Sequence, residues 1–158
     1  MVSVMNYIKI NNTRLRDMTA VDVDDVLRIE QQVHSHPWTS GNFRDSLGSG
    51  HICKVFESAN EVAGYAVLMP VLEEVQLLDI GIARPFQRKG LGKKLLEELL
   101  ELARTQKFER VILEVRVTNI AANALYKSAG FTKAGLRRGY YPGQNGREDA
   151  VIMEYKLP

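Results

Sequence analysis

The segment LDIGIARPFQRKGLGKKLLEELLELA, residues 78–103, is the part of the chain from which the fold can be inferred. It opens with a short apolar run of strand length that stops at Arg84 and Pro85, a pair that favours a turn. The apolar side chains then recur at steps of three and four, the period of an amphipathic helix: Leu91, Leu95, Leu96, Leu99, Leu102 and Ala103. The segment therefore predicts a strand, a loop and a long helix.

The loop at residues 87–92 predicts a binding site for an anion. The first turn of a helix has backbone N–H groups without an intrahelical partner, and the helix dipole adds partial positive charge there. Gly90 and Gly92 have no Cβ, so a phosphate can approach the main chain closely. Four basic side chains surround the same point: Arg88, Lys89, Lys93 and Lys94. Lysines in a first helical turn oppose the dipole, a conflict that a bound pyrophosphate would relieve.

The same pattern also fits a glycine-containing turn before a basic surface helix, and at the level of sequence this alternative stays open. It does not fit a P-loop, because the wide glycine spacing and the final Lys-Ser or Lys-Thr are missing. It does not fit the dinucleotide fingerprint either, because a third glycine is missing.

The composition is that of an ordinary globular protein. At 158 residues the chain can bury one core but is short for two domains, so we expect a leader at 1–12 and one domain at 13–158. A formal net charge of +2 is too small to favour nucleic acid as the main partner. Cys53 is the sole cysteine, which excludes a disulfide framework and is compatible with a reducing cytoplasm. No apolar run approaches the length of a membrane span.

The remaining patterns predict a mixed α/β fold, with a central twisted sheet flanked by about four helices. The predicted order is strand, two helices, three strands, helix, strand, helix and two strands. Residues 52–56 and 62–70 form a predicted hairpin, in which Gly64 indicates a bulge or a close approach of another backbone. Residues 137–143 are expected to form a loop or hairpin tip before a last strand at 149–156.

The segment at residues 34–39 lies between two predicted helices and contains two histidines. The first of these helices has an apolar stripe that is interrupted once, by Glu30. His34 and His36 could suggest a metal, but no third ligand stands at a useful spacing. We therefore expect a loop, in which Trp38 either packs or lines a substrate entrance.

Two polar residues are candidates for chemistry. Glu114 interrupts an otherwise apolar predicted strand at 111–117, where a carboxylate is unexpected unless it is paired or reactive. It faces a solvated edge or pairs with Arg116, or it acts as a general base. Tyr126, on the following helix, is either a packing residue or a phenol that donates a proton to a departing thiolate.

Transfer of an acyl group from a thioester to an amine requires a base for the amine, a donor to the tetrahedral oxyanion and an acid for the sulfur. Glu114, a backbone N–H near Ile82 and Tyr126 could supply these groups in that order. Glu74 and Asp79 are rival carboxylates for the role of base.

Residues 87–92, QRKGLG, following an apolar strand, resemble the acetyl-CoA pyrophosphate loop of the GNAT superfamily of N-acetyltransferases. Residues 113–131, LEVRVTNIAANALYKSAGF, resemble one branch of it, the bacterial RimI group, which acetylates the N-terminal alanine of a small-subunit ribosomal protein. Three shorter stretches resemble the same group: residues 37–39, 137–142 and 148–153. The resemblance runs from about Thr13 to the C-terminus and implies the GNAT acyl-CoA N-acyltransferase fold.

The resemblance also implies roles for particular residues. Glu114 would be the general base and Tyr126 the general acid, and Asn119, which could equally be a helix N-cap, would contact the donor. The backbone along the acetyl-pantetheine arm would be that of Ile80, Gly81 and Ile82. The residues around the pyrophosphate would be Arg88, Lys89, Gly90, Leu91, Gly92 and Lys93. The family often has Asn and Ala at the positions of Asp79 and Gly81, so the hydrogen bonding of Gly81 to the donor is left open.

The predicted function is direct acetyl transfer from acetyl-CoA to a protein N-terminal amine, with the alanine of a small-subunit ribosomal protein as the expected acceptor. An acyl-enzyme on Cys53 is disfavoured, because its strand is apolar and no histidine partner is evident. The alternatives are the same chemistry on lysine or a small polyamine, and a non-catalytic acetyl-CoA-binding module. We expect a cytoplasmic monomer or weak dimer without a metal, and no direct binding to a membrane or to nucleic acid.

Overall fold

The computed structural model describes residues 12–144 and 146–158, so nearly all of the expected leader at 1–12 lies outside the described residues. Within them the chain forms seven strands and four α-helices. In chain order they are β1 (Thr13–Asp17), α1 (Val23–Val33), α2 (Ser40–Gly48), β2 (Ile52–Ser58), β3 (Glu61–Val71), β4 (Glu74–Ile82), α3 (Leu91–Thr105), β5 (Arg110–Arg116), α4 (Ile120–Ser128), β6 (Thr132–Gly143) and β7 (Gly146–Lys156). No helix in this part of the chain is long and apolar enough to cross a membrane.

The strands form one mixed sheet in the order β1-β2-β3-β4-β5-β7-β6. β4 and β5 run parallel, and α3 supplies the crossover that a parallel pair requires. Their paired stretch begins with Glu74 opposite Arg110 and ends with Leu77 opposite Leu113. The pairs β1-β2, β2-β3, β5-β7 and β6-β7 are antiparallel. The predicted mixed α/β class and the predicted order of elements are confirmed.

The described chain divides into two compact units. The first contains the residues up to 69 together with 79–95, and the second contains 70–78 together with 96–158. β3, β4 and α3 each contribute residues to both units. The single domain expected at 13–158 stays a prediction.

The core of the first unit explains the pattern of α1. Val23, Val26 and Ile29 are buried, as the apolar stripe predicts. Glu30 is buried with them and is only 1% exposed, so the single polar interruption of the stripe lies inside the protein. Loop residues connect α1 to α2, as predicted, and the Thr39 hydroxyl caps α2 by accepting from the backbone N–H of Asn42 at 3.1 Å.

Gly64 on β3 fulfils both expectations attached to it. The register with β2 shifts between Phe56 and Glu57, because Ala63 is an extra residue on β3 at this point. A Cβ built on Gly64 would lie 2.7 Å from the backbone oxygen of Gly81. Glycine therefore allows β3 and the end of β4 to approach each other closely.

The second unit contains β5 and the long β6-β7 hairpin. Val111, Leu113 and Val115 of β5 are buried. Residues 137–143 belong to β6 and lead into the tip of the β6-β7 hairpin, so the loop alternative was wrong and the hairpin alternative is confirmed in part. Arg137 faces Ala150 and Tyr141 faces Glu148, so three residues of β6 bulge out opposite a single residue of β7. Gly139, Pro142 and Gly143 are typical of turns, and they suggested a loop here.

Candidate active site

The loop before α3 contains two residues in the left-handed backbone region. Arg88 has a φ of 61° and Gly90 a φ of 77°. A Cβ built on Gly90 would meet nothing within 4 Å, so the glycine serves the backbone angle and the space above it is open. Phe86 and Leu91 are buried and fix the two ends of the loop. Residues with left-handed backbone next to the first turn of a helix direct successive N–H groups to one side. Such an arrangement binds anions.

Helix α3 adds its own N–H groups to this loop. The bond from the backbone N–H of Lys94 to the carbonyl of Gly90, 3.1 Å long, is the first of the helical type. The N–H groups of Leu91, Gly92 and Lys93 precede it and stand at the positive end of the helix dipole. The predicted combination of a glycine loop and a helix N-terminus is therefore present.

The basic side chains of the loop are available to a ligand. Arg88 and Lys93 are exposed and Lys89 is half-buried. Across residues 12–144 and 146–158 none of these three takes part in an ion pair. The Gln87 amide instead fastens the loop to the preceding strand by donating to the carbonyl of Ile82 at 2.9 Å. A rigid frame thus presents three uncompensated positive charges.

The strand that leads into the loop passes over a tyrosine. A Cβ built on Gly81 would overlap the hydroxyl of Tyr65, and it would lie 2.6 Å from the ring carbon Cζ. Glycine is therefore required here by contact, because the phenol occupies the space that any side chain would need. The expected departure from the family pattern at Gly81 has a local structural reason.

Next to Ile80 lies a polar group of four residues, which we call the His34 cluster: Glu30, His34, Tyr65 and Asp79. Three of them are buried, and the His34 side chain is 31% exposed. The His34 Nε2 lies 2.8 Å from the carbonyl oxygen of Ile80, 3.2 Å from Asp79 Oδ1 and 3.6 Å from Glu30 Oε1. The Tyr65 hydroxyl donates to Glu30 Oε1 at 2.5 Å. Asp79 Oδ2 is buried and has no hydrogen-bond partner among the described residues. All four side chains belong to the first unit.

The cluster shifts the protonation of its members. Burial raises the pKa of Glu30, and the neighbouring Asp79 raises it further. Burial acts to lower the pKa of His34, but the hydrogen bond to Asp79 and the charge of Glu30 outweigh it, so the pKa of His34 is raised. Burial also raises the pKa of Tyr65. The cluster therefore favours a charged imidazole and a neutral phenol.

Glu114 belongs to the second unit, where it lies on β5. β5 lies between β4 and β7 in the sheet, so the interpretation of Glu114 as an edge residue is wrong. Its side chain is 10% exposed and pairs with Arg137 at 3.2 Å, Nε to Oε1. The pairing expected with Arg116 is also wrong, because Arg116 pairs with Glu148 at 3.1 Å. The hydrogen bond of Tyr140 to Glu114 raises the pKa of that tyrosine.

Tyr126 and Asn119 both lie on or beside α4. Tyr126 is buried, and its ring meets that of Phe131 edge to face, with 5.9 Å between the centroids. The side chain of Asn119 accepts from the backbone N–H of Ala122 at 3.2 Å, so its role as the N-cap of α4 is confirmed. Asn119 is exposed, which leaves its amide nitrogen open to a second partner. The roles of Tyr126 as acid and of Asn119 as donor contact stay predictions.

The rival candidates have other contacts. Glu74 accepts from Arg110 Nε at 2.7 Å, so the charge of this carboxylate is compensated by a neighbouring guanidinium. Asp79 belongs to the His34 cluster. Cys53 is a buried free thiol, and burial raises its pKa, which is the opposite of what a nucleophilic cysteine needs.

Sequence reasoning missed the connection of Glu30 and Tyr65 to His34. The spacing suggested a comparison of His34 with His36, whereas in the folded chain His34 meets Glu30, one helical turn earlier, and Asp79 on β4. One signal was available, because Glu30 interrupts the apolar stripe of α1. The pairing with Tyr65 and Asp79 depends on tertiary structure and could not be inferred from spacing.

Comparison with known proteins identifies the family of this chain. The model of the acetyltransferase (GNAT) family matches residues 23–131, more than half of the chain. The [ribosomal protein bS18]-alanine N-acetyltransferase of Salmonella typhimurium is 38% identical over 136 residues, which cover 86% of this chain and 92% of the relative.

Solved structures agree with this assignment. The crystal structure of the ribosomal-protein-S18-alanine N-acetyltransferase from Escherichia coli matches with a TM-score of 0.85 and 35% identity, covering 92% of this chain and 94% of that one. A phosphinothricin acetyltransferase from Sinorhizobium meliloti, solved in complex with AcCoA, shares the fold with a TM-score of 0.76 at 22% identity, covering 92% of this chain and 89% of that one. The chain therefore belongs to the acetyltransferase (GNAT) family.

Proposed function

We propose that this protein transfers the acetyl group of acetyl-CoA directly to the N-terminal amine of a protein, with the N-terminal alanine of ribosomal protein bS18 as its acceptor. The single observation that carries the acceptor is the 38% identity to an enzyme named for that substrate, over 86% of the chain. The acetyltransferase family supplies the reaction class. A cytoplasmic location belongs to the same proposal.

The loop before α3 fits the diphosphate of the donor. Two left-handed residues, Arg88 and Gly90, lie next to a helix N-terminus, and the space above Gly90 is open. Left-handed backbone in a non-glycine residue is unfavourable, and such strain is found preferentially at functional sites. The unpaired cations at Arg88, Lys89 and Lys93 supply the charge that two phosphates require.

The donor supplies an acetyl group held as a thioester, and the chain supplies the proton transfers and the orientation. Glu114 takes a proton from the acceptor ammonium, which titrates near 8 as an α-amino group and so makes a modest demand on the base. A backbone N–H near Ile82 donates to the carbonyl oxygen as negative charge develops on it. The amine nitrogen bonds to the thioester carbon, and Tyr126 gives its phenolic proton to the sulfur as the carbon–sulfur bond breaks. The second proton that the nitrogen loses on becoming an amide restores the phenol through solvent.

Glu114 is held in a way that suits an incoming ammonium group. Its carboxylate already accepts a cation, Arg137, whose side chain is 53% exposed. Tyr140 beside it is 42% exposed. A cationic amine can therefore take the place of the exposed guanidinium without burying an unpaired charge.

The bulge of β6 provides a surface against which the acceptor can bind. Arg137 lies over the ring of Tyr140 at 5.1 Å, and Arg116 lies over the ring of Tyr141 at 4.5 Å. The backbone N–H of Gly139 donates to Asp149 Oδ1 at 2.8 Å and fixes the bulge. Two aromatic rings held by arginines give an extended surface, which favours a peptide over a small polyamine.

The proposal is tested by offering the purified protein acetyl-CoA with a panel of acceptors. The panel contains a peptide with the N-terminal sequence of bS18, the same peptide starting with another residue, an Nα-blocked lysine peptide and spermidine. We expect thiol release and a mass gain on the free N-terminal alanine alone. Preferential acetylation of the lysine peptide or of spermidine would overturn the acceptor, and acetyl-CoA binding without any thiol release would indicate a non-catalytic module.

A further inference from the structure

The His34 cluster has no part in the proton transfers assigned to Glu114 and Tyr126, yet it places several ionisable groups in a core. The side chains of Glu30 and Asp79 are 1% and 7% exposed. Burying charged groups is unfavourable unless they are paired and hydrogen-bonded, and apolar side chains of similar size are often at least as stable. The arrangement therefore calls for a role other than stability.

The first role to consider is metal binding. One ligand atom each from Glu30, His34 and Asp79 lies within 4.8 Å of the others. The His34 Nε2, however, lies 2.8 Å from the carbonyl oxygen of Ile80, which can only accept a hydrogen bond. This nitrogen must carry a hydrogen to make that contact, and a nitrogen that carries a hydrogen has no lone pair for a metal. The geometry favours hydrogen bonding over ligation.

The members of the cluster hold His34 from three elements. Glu30 on α1 is fixed by the Tyr65 hydroxyl of β3 at 2.5 Å and by the backbone N–H of Trp38 at 2.9 Å. Asp79 on β4 contacts the ring at 3.2 Å through Oδ1, while its Oδ2 has no partner in the described part of the chain. The ring is thus held between two carboxylates with its Nε2–H directed at Ile80.

The carbonyl of Ile80 belongs to the peptide group that joins it to Gly81. In a planar trans peptide the C=O and N–H groups point in opposite directions, so fixing the Ile80 oxygen also fixes the direction of the Gly81 N–H. Ile80 lies three residues beyond Leu77, the last residue of β4 that pairs with β5. Beyond Leu77 the pairing with β5 ends, and the Ile80 carbonyl takes its hydrogen bond from His34 instead.

We propose that His34 is a positioning residue that orients the Ile80–Gly81 peptide, and with it the strand backbone on which the acetyl arm of the donor is held. This inference rests on the proposed function, because the acetyl arm is assigned to Ile80, Gly81 and Ile82 there. Tyr65 connects Glu30 with Gly81, because its hydroxyl donates to Glu30 and also fills the space beside Gly81.

The test compares two amide substitutions of different reach. In His34→Gln the side-chain nitrogen takes the place of Nε2 and can still donate to Ile80, whereas in His34→Asn it takes the place of Nδ1 and cannot. We expect His34→Asn to lower kcat/KM for acetyl-CoA about ten- to hundredfold, and His34→Gln to remain within about threefold of the wild type. His36→Ala, an exposed site two residues along the loop, is the control and should leave kcat/KM unchanged.

A second measurement separates positioning from damage to the fold. 3′-Phosphoadenosine 5′-diphosphate carries the diphosphate of the donor but lacks the acetyl arm. Its Kd should be the same in the wild type, His34→Gln and His34→Asn, because the loop at Arg88 and Gly90 is untouched. A Kd that rises together with the loss of kcat/KM would show a general disturbance and would overturn the inference.

The remaining outcomes are also decisive. Equal kcat/KM in His34→Asn and the wild type would overturn the positioning role and leave the proposed function standing. Loss of wild-type activity on dialysis against EDTA, with recovery on adding Zn²⁺, would make the cluster a metal site and overturn it as well. A wild type that binds acetyl-CoA but acetylates none of the acceptors would contradict the proposed function itself.

Discussion

Two groups of the same chemical make-up lie in the two units and differ in their exposure. Each combines a carboxylate, a cationic side chain and a phenol: Glu30, His34 and Tyr65 in the first unit, which we call the buried trio, and Glu114, Arg137 and Tyr140 in the second, which we call the open trio. In the buried trio the carboxylate is 1% exposed, the imidazole 31% exposed and the phenol fully buried. In the open trio the carboxylate is 10%, the guanidinium 53% and the phenol 42% exposed.

This difference in burial decides what each trio can do. Leaving a buried polar group without its hydrogen-bond partner is strongly destabilising, so the buried contacts of Glu30 are suited to holding a backbone in place. An exposed guanidinium can return to water at little expense, so Glu114 can exchange Arg137 for another cation. We therefore propose that such a trio serves as a support in the first unit and as a reactive site in the second.

The largest expected effect is on the carboxylate of the open trio. Glu114→Gln removes the proposed base, and we expect kcat to fall by roughly 10²- to 10⁴-fold. The Kd for CoA should stay within about twofold, since Glu114 is not part of the proposed diphosphate loop at residues 87–92. Both are measured by thiol release and by calorimetry, with Glu74→Gln, the rival carboxylate paired with Arg110, as the matched control. A fully active Glu114→Gln protein would remove Glu114 from the mechanism.

The next effect compares the two phenols. Tyr65→Phe removes the hydroxyl that donates to the buried Glu30, and leaving that carboxylate short of a partner should lower the free energy of unfolding by about 1–3 kcal/mol. Tyr140→Phe changes an exposed group and should stay within about 0.5 kcal/mol of the wild type. Urea denaturation measures both. Equal effects would show that the two trios do not differ in the way their exposure indicates.

The contrast also explains what could be predicted from the sequence. The loop before α3 could be predicted as an anion site because its glycines, its cations and the helical period after it are consecutive in residues 78–103. Glu114 could be predicted as a candidate site residue because a lone carboxylate interrupts an apolar strand. The partners of Glu114 and His34 could not be predicted, since Arg137 and Asp79 lie on strands distant in sequence from the groups they contact. Residues 137–143 were taken for a loop or hairpin tip because they contain Gly139, Pro142 and Gly143, which are typical of turns.

The buried trio should also make stability depend on pH. The pKa of His34 is raised in the folded protein, so its contribution is fully present below the unfolded value near 6.5 and is lost as the pH rises through the folded value. Relative to His34→Gln, the wild type should lose about 1.4 kcal/mol for each unit by which that pKa is raised. Urea denaturation of both proteins between about pH 6 and about pH 9 measures this difference. A difference that is constant over this range would mean that His34 stays neutral in the fold.

The smallest expected effect tests whether the strained backbone at Arg88 contributes to binding of the donor. Arg88 and Lys107 both have left-handed backbone, with φ of 61° and 65°. Glycine relieves this strain in either place but also gains freedom in the unfolded chain, so Arg88→Gly and Lys107→Gly should each change the free energy of unfolding by less than about 1 kcal/mol, and by similar amounts. Only Arg88→Gly should weaken the binding of 3′-phosphoadenosine 5′-diphosphate, by about fivefold, because only Arg88 belongs to the proposed diphosphate loop. Calorimetric titration of both variants distinguishes the two, and an equal loss of affinity in Lys107→Gly would show that the loop before α3 has no special relation to the donor.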